Sequence, residues 1–226
     1  MKFYKAGEIP KVGNMFFIFG DGGTGKTSLI RLFSGKKLLL SFDGSTNAII
    51  NTKDVDVALF EDIDAPQMQQ LVNTTLGQLV KNHDVIFLDN VSALQNYVLE
   101  NIDGASKDGR QNYQKLQLWF RNLGMYLRGT GLTVVATAHQ IDNGSNGLDG
   151  KGRFEADMNE KTFNAFTGPF DLVGRIYKED GQRWIDLDTE NGNHAKNRLD
   201  NRTLIKASDL LNTGDPEAKQ IQKEDK

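Results

Sequence analysis

Residues 15–27 read MFFIFGDGGTGKT, a wholly apolar run passing directly into glycines and then Gly-Lys-Thr. The run 15–19 suits a strand buried on both faces of a parallel sheet, and the next eight residues match G-x-x-x-x-G-K-[ST]. A strand entering this loop and a helix leaving it near Gly25 is the setting in which the pattern binds nucleotide phosphates. The glycines let backbone N–H groups turn inward around a phosphate, the Lys26 amine reaches the outer phosphates, and the Thr27 hydroxyl can ligate Mg2+. Gly20, Asp21, Gly22, Gly23, Thr24, Gly25, Lys26, Thr27 and Ser28 are thus the candidate nucleotide-binding residues.

Such a cradle needs a carboxylate at the tip of a neighbouring strand to hold the metal. Asp89 ends the run 85–88, VIFL, and is the candidate metal partner of Thr27. Its other reading is the N-cap of a helix starting near Ser92, since Asp is a favoured cap.

Around this pair the chain alternates. Short apolar runs at 38–42, 55–60, 85–88 and 132–138 read as strands. Between them, Met68, Leu71, Val72, Leu76, Leu79 and Val80 recur at helical spacing, as do Leu116, Trp119, Phe120, Leu123, Tyr126 and Leu127. The reading is α/β, a mostly parallel twisted sheet flanked by helices. Runs 172–178 and 183–187 alternate around Asp180-Gly181, which predicts a closing antiparallel hairpin. Residues 143–152 are glycine-rich and polar and predict a loop. The expected organisation is an N-terminal lead at 1–14, one core at 15–205 and a polar tail at 206–226.

Composition narrows the chemistry. Lys+Arg 27 against Asp+Glu 30 gives a formal charge of -3, which excludes a surface that coats nucleic acid by charge alone. With no Cys and 3 His, a disulfide framework, a thiolate nucleophile and a Cys-built zinc site are excluded. No apolar run approaches the roughly 20 residues of a membrane span, and the N-terminus lacks the apolar stretch of a signal peptide, so a cytoplasmic protein without a membrane partner is expected.

The stretch 85–94, VIFLDNVSAL, resembles the corresponding segment of RecA-type recombinases. The resemblance spans about 15–202 and implies a RecA-like P-loop NTPase, with ATP and Mg2+ as ligands and ATP hydrolysis as the activity. It also implies a strand ending in a Gln that senses the terminal phosphate, which LTVVATAHQI supplies as Gln140, preceded by His139. An amide can bond to a phosphate oxygen and lose that partner on hydrolysis. Lys196-Asn197-Arg198 resembles the finger by which RecA-like ring helicases and the RadA protein touch a neighbour's nucleotide. This implies Lys196 and Arg198 as catalytic groups acting across subunits, the alternative being a solvated turn. Where the family has a water-orienting Glu after the second strand, this chain reads LLLSFDGST. Asp43 is the preferred base, Ser45 takes the place if the strand is aligned instead, and Glu61 is the fallback.

The family's DNA contacts come from two loops. Here they are about 101–112, offering Lys107 and Arg110, and about 142–161, offering Lys151 and Arg153. The alternative is two ordinary charged loops. Trp119, Phe120 and Tyr126 read as core. Phe3 and Ala6 fit an F-x-x-A docking pattern, or pack on their own sheet. The small phage-encoded RecA-like recombination and annealing ATPases are the nearest resemblance. They imply single-stranded DNA and a homo-oligomer, ring or filament, as partners, with a single-strand binding protein as a further one, in the host cytoplasm. A helicase or its loader is the alternative, and a small-molecule P-loop kinase a more distant one, since the only lid segment, 143–153, is poor in Arg.

Overall fold

The computed structural model describes residues 1–144, 153–188 and 193–212. Five strands run parallel through its middle: β1 (Met15–Phe19), β2 (Lys37–Ser41), β3 (Val55–Leu59), β4 (Val85–Asp89) and β5 (Thr133–Ala138). All five residues of β1, β2 and β4 are buried, as a sheet covered on both faces requires. A short antiparallel ribbon comes next, β6 (Gln140–Asp142) paired with β7 (Phe154–Ala156), and then β8 (Leu172–Glu179), β9 (Gln182–Asp186), β10 (Lys196–Asn197) and β11 (Leu204–Lys206).

The order across the main sheet is β11-β9-β8-β1-β5-β4-β2-β3, with β10 beside the start of β8. β8 lies parallel to β1, and β9, β10 and β11 are antiparallel additions. This is the mostly parallel, helix-flanked sheet of a RecA-like P-loop fold, closed by the expected hairpin. Asp180 and Gly181 take φ of 49° and 77° at its tip, the left-handed pair that a tight two-residue turn demands.

The long helices are α1 (Met68–Leu79), α2 (Val91–Glu100), α3 (Gly109–Thr130) and α4 (Glu160–Thr167). One face of the sheet packs on them through Phe17, Leu88, Leu94, Phe120 and Phe166, while Phe16, Ile18, Ile30, Phe87 and Ile185 fill the other. Phe17 makes edge contacts with Phe163, Phe166 and Phe170, which fix α4 over the sheet. α4 was not legible in the sequence, because its eight residues carry only two large apolar side chains.

The helix expected after the loop near Gly25 is the 3-10 helix Thr27–Leu32. Two other expectations shift. Tyr126 is 43% exposed rather than core, being on the flank of the buried Phe120-Leu123-Leu127 stripe. The C-terminal segment from 206 does not begin as a loose tail, for Ala207 and Leu210 are buried in the cluster that Ile185 of β9 and Leu29 share; residues 213–226 lie outside the described residues. No helix among the described residues is long and apolar enough to cross a membrane.

Candidate nucleotide site

Parallel strands all deliver their carboxyl ends to one edge, and the loops there converge. β1 delivers Gly20, whose neighbour Ile176 on β8 would stand 2.2 Å from an added Cβ, so the backbone approach itself requires glycine. Gly25, at φ 98°, aims the loop back toward the sheet. The Lys26 amine crosses the loop and donates to the carbonyls of Gly20 and Asp21, both at 2.8 Å. Burial lowers its pKa, against the opposing pull of Asp89, Asp21 and Asp43. The ammonium is thereby held at the mouth of the cradle and not in solvent.

β4 delivers Asp89, which is 2% exposed. It does not cap α2. Asn90 does, its side-chain oxygen accepting from Ala93 N at 2.9 Å, which leaves Asp89 to face the cradle. One carboxylate oxygen accepts from the Thr27 hydroxyl at 2.5 Å and the other from the Thr137 hydroxyl. Burial raises its pKa, and the two hydroxyl bonds partly offset this.

Beside it on β2, Ser41 is Asp89's register partner and has a buried hydroxyl with no hydrogen-bond partner. A hydroxyl, a carboxylate and an orphaned hydroxyl at one corner suit a hard cation that takes few protein ligands. No group of three or more His, Cys, Asp or Glu among the described residues could cage a metal alone. Thr27 and Asp89 could hold Mg2+ there together with phosphate oxygens and water.

A cavity of about 370 Å3 opens over these groups, lined by Lys26, Thr27, Asp43, Asp89, His139 and Arg183 among others. Asp43 is exposed at its edge, accepting from Ser45 N at 2.9 Å and from the Asn90 side chain. The same Asn90 nitrogen meets His139 Nε2 at 3.1 Å. Ser45 also lines the cavity, but Glu61 does not. Glu61 instead caps the 3-10 turn Asp62–Gln67 in a reciprocal capping box with Asp64.

Gln140, just past the end of β5, donates to Asp21 of the loop at 2.8 Å and accepts from Arg175 at 2.9 Å. It stands within one side chain of the phosphate cradle, where the sequence reading puts a sensor.

Lys196 and Arg198 lie elsewhere. Lys196 pairs with Val173 and Arg198 N donates to Asp171 O, at the opposite end of the sheet. Asp171 N in turn bonds Met15 O, so Arg198 stands five residues below Gly20, about 16 Å along the strands and two strand spacings, about 10 Å, across. The Lys196 amine donates to Thr167 O at 2.7 Å, and Arg198 to Gly168 O at 3.3 Å, at the C-terminus of α4. Burial and the neighbouring Arg198 lower the Lys196 pKa to about 8.

Of the candidate DNA cations, Lys107 is exposed between α2 and α3 and Arg110 is exposed in the first turn of α3. Arg153 forms an ion pair with Asp142, with its guanidinium 4.6 Å from the centre of the Phe154 ring. Lys151 is outside the described residues.

Four site residues escaped the sequence reading: Asn90, Thr137, Arg175 and Arg183. Thr137 was a polar interruption in an otherwise apolar strand, and Asn90 sits at a cap position, so both had a local signal. Arg183 reaches the loop from β9, donating to Thr24 O at 3.0 Å, and Arg175 comes from β8. Nothing local in the sequence places either arginine at the cradle, since both arrive through the hairpin's pairing.

The family model described as "AAA domain" matches residues 13–199. Among solved structures, the chain is similar to a KaiC-like protein from Pyrococcus horikoshii OT3, at 10% identity and a TM-score of 0.45 over 77% of this chain and 78% of that one. It is also similar to the flagellar accessory protein FlaH from Methanocaldococcus jannaschii, at 12% identity and a TM-score of 0.47 over 88% and 87%. No curated protein matches. With a phosphate loop at the carboxyl end of β1 and a family match over most of its length, the chain belongs to the AAA domain family of P-loop ATPases.

Proposed function

We propose that this ATPase is a phage-type DNA recombination protein that binds single-stranded DNA and promotes annealing or strand pairing as an oligomer. The observation that carries the reading is a shared edge. The 101–108 loop and the β6–β7 ribbon leave the same carboxyl end of the sheet as the phosphate loop; Asp103 N is tied to Gln69 at the start of α1, and Gln140 opens the ribbon. A strand bound there would lie against the nucleotide site, so ATP turnover and DNA binding would be linked.

In this reading Lys26 binds the outer phosphates, Thr27 and Asp89 hold Mg2+, and Asp43 orients the attacking water with its carboxylate fixed by Asn90 and Ser45 N. Bound Mg2+ would neutralise charge on the phosphates. Gln140 reports the terminal phosphate. Lys196 and Arg198, out of reach of their own cradle, serve a neighbour's, so hydrolysis depends on assembly. The exposed segment 1–12, with Phe3 81% and Ile9 77% exposed, offers apolar side chains for docking on that neighbour.

Lys107 and Arg110 supply phosphate contacts, joined by Lys151 and Arg153, the last after exchanging Asp142 for a phosphate. The test is binding of a labelled single-stranded oligonucleotide at low salt, with an annealing assay alongside. Lys107→Glu with Arg110→Glu is expected to weaken binding and flatten its salt dependence. Unchanged binding, or no binding by the unaltered protein, would remove the DNA assignment.

A further inference from the structure

Gln140 is gripped from two sides. Its amide nitrogen donates to Asp21 Oδ2 at 2.8 Å while its amide oxygen accepts from Arg175 Nε at 2.9 Å. An amide has one acceptor end and one donor end, so the Arg175 bond dictates which end faces the phosphate loop. With the guanidinium on the oxygen, the NH2 group must point toward Asp21, the direction from which an anionic phosphate would approach.

Arg175 has a second contact. Its guanidinium carbon lies 3.4 Å from the centre of the Phe154 ring, a close cation–π stack, and 5.0 Å from the Tyr177 ring. Phe154 begins β7 and pairs with Asp142 on β6, while Gln140 pairs with Ala156 at the other end of the ribbon. Arg175 itself is on β8, fixed opposite Phe19 of β1 and Asp186 of β9. One planar side chain, anchored in the central sheet, thus touches both the candidate sensor and the ribbon beyond it. Burial lowers the Arg175 pKa, and the negative charges of Asp21 and Asp186 oppose that shift.

We propose that Arg175 is a positioning residue that orients the Gln140 amide toward the nucleotide and transmits its state to the β6–β7 ribbon through Phe154. This rests on the reading of Gln140 as the phosphate sensor. When a terminal phosphate competes with Asp21 for the amide NH2, the amide shifts, and the guanidinium bonded to its other end shifts on the Phe154 face. Lys in place of Arg keeps the charge but lacks the planar fork that can bond and stack at once.

Amide hydrogen exchange of the ribbon, compared between ADP and a non-hydrolysable ATP analogue, tests this on the full chain. The unaltered protein is expected to show a several-fold difference in ribbon exchange between the two nucleotides. Gln140→Ala, Arg175→Lys and Phe154→Leu are each expected to abolish it; Phe154→Leu, whose side chain is outside the phosphate cradle, is expected to keep nucleotide affinity within about threefold and covers the case in which the arginine variant fails to fold. If Gln140→Ala abolishes the difference but Arg175→Lys and Phe154→Leu retain it, the relay is wrong and the sensor stands. If Gln140→Ala retains it, or the unaltered protein shows none, the sensor reading falls and the relay with it.

Discussion

Replacing Arg198 with Ala distinguishes a finger acting across subunits from a solvated turn, and the structure sets the scale of each. Within its own chain Arg198 lies about 19 Å from Gly20, combining about 16 Å along the strands with about 10 Å across them. At that distance two unit charges in water interact by about 0.2 kcal/mol, and salt reduces this severalfold. Acting in cis, Arg198→Ala would therefore change turnover by less than about 1.5-fold. A cation touching the transferring phosphoryl group is worth 10^3- to 10^5-fold, roughly 4–7 kcal/mol. The single bond lost on substitution, from Arg198 to Gly168 O at 3.3 Å, is at the surface and costs under about 1 kcal/mol, so the variant should fold.

The assay is steady-state ATP hydrolysis, first of Arg198→Ala alone and then of its 1:1 mixture with Lys26→Ala. Each protein alone is expected to be nearly inactive. In a randomly mixed assembly a competent interface needs the nucleotide site of one variant and the finger of the other, which leaves about a quarter of interfaces active. Recovery toward about a quarter of the unaltered rate supports action in trans. An Arg198→Ala protein within twofold of normal, or a mixture no more active than its parts, would refute it.

Lys26→Ala removes the ammonium that spans the cradle and is expected to lower affinity for a fluorescent ATP analogue by at least about 100-fold in a binding titration. Asp43→Asn is expected to lower kcat by about 10^2-fold or more with KM little changed, whereas Glu61→Gln should leave kcat intact and lower the melting temperature by a few degrees through its capping box. Because burial raises the Asp89 pKa in the folded chain, the native state holds that proton more tightly than the unfolded one. This contribution is complete below about pH 4 and is lost as pH rises through the folded value. Melting curves without Mg2+ should therefore lose less stability with rising pH in Asp89→Asn than in the unaltered protein, and parallel curves would contradict the assignment.

The centre of the fold was legible because its signals are local. Residues 15–19, 38–42 and 85–88 are apolar runs that only a doubly covered sheet can bury, and the G-x-x-x-x-G-K-[ST] spacing fixes the loop after the first of them. The meeting of Thr27 with Asp89 was legible for the same reason, each being tied to the end of a strand. The two arginines that escaped depend on pairing distant in sequence. Arg175 and Arg183 reach the cradle only because β8 joins β1 and β9 folds back beside it. The β6–β7 ribbon is three residues a side, too short for a periodic pattern. Which of Asp43 and Glu61 borders the cavity depends on geometry that spacing does not encode: β3 is an edge strand, which carries Glu61 away from the cavity that Asp43 lines.

The most direct test of an ATP site completed by a neighbour and linked to DNA is the ATPase rate per protomer across a wide range of protein concentration, with and without single-stranded DNA. The rate per protomer should rise cooperatively with concentration, and single-stranded DNA should shift that rise to lower concentration and increase its plateau. A rate per protomer that stays constant at every concentration and is indifferent to DNA would contradict both halves of the account.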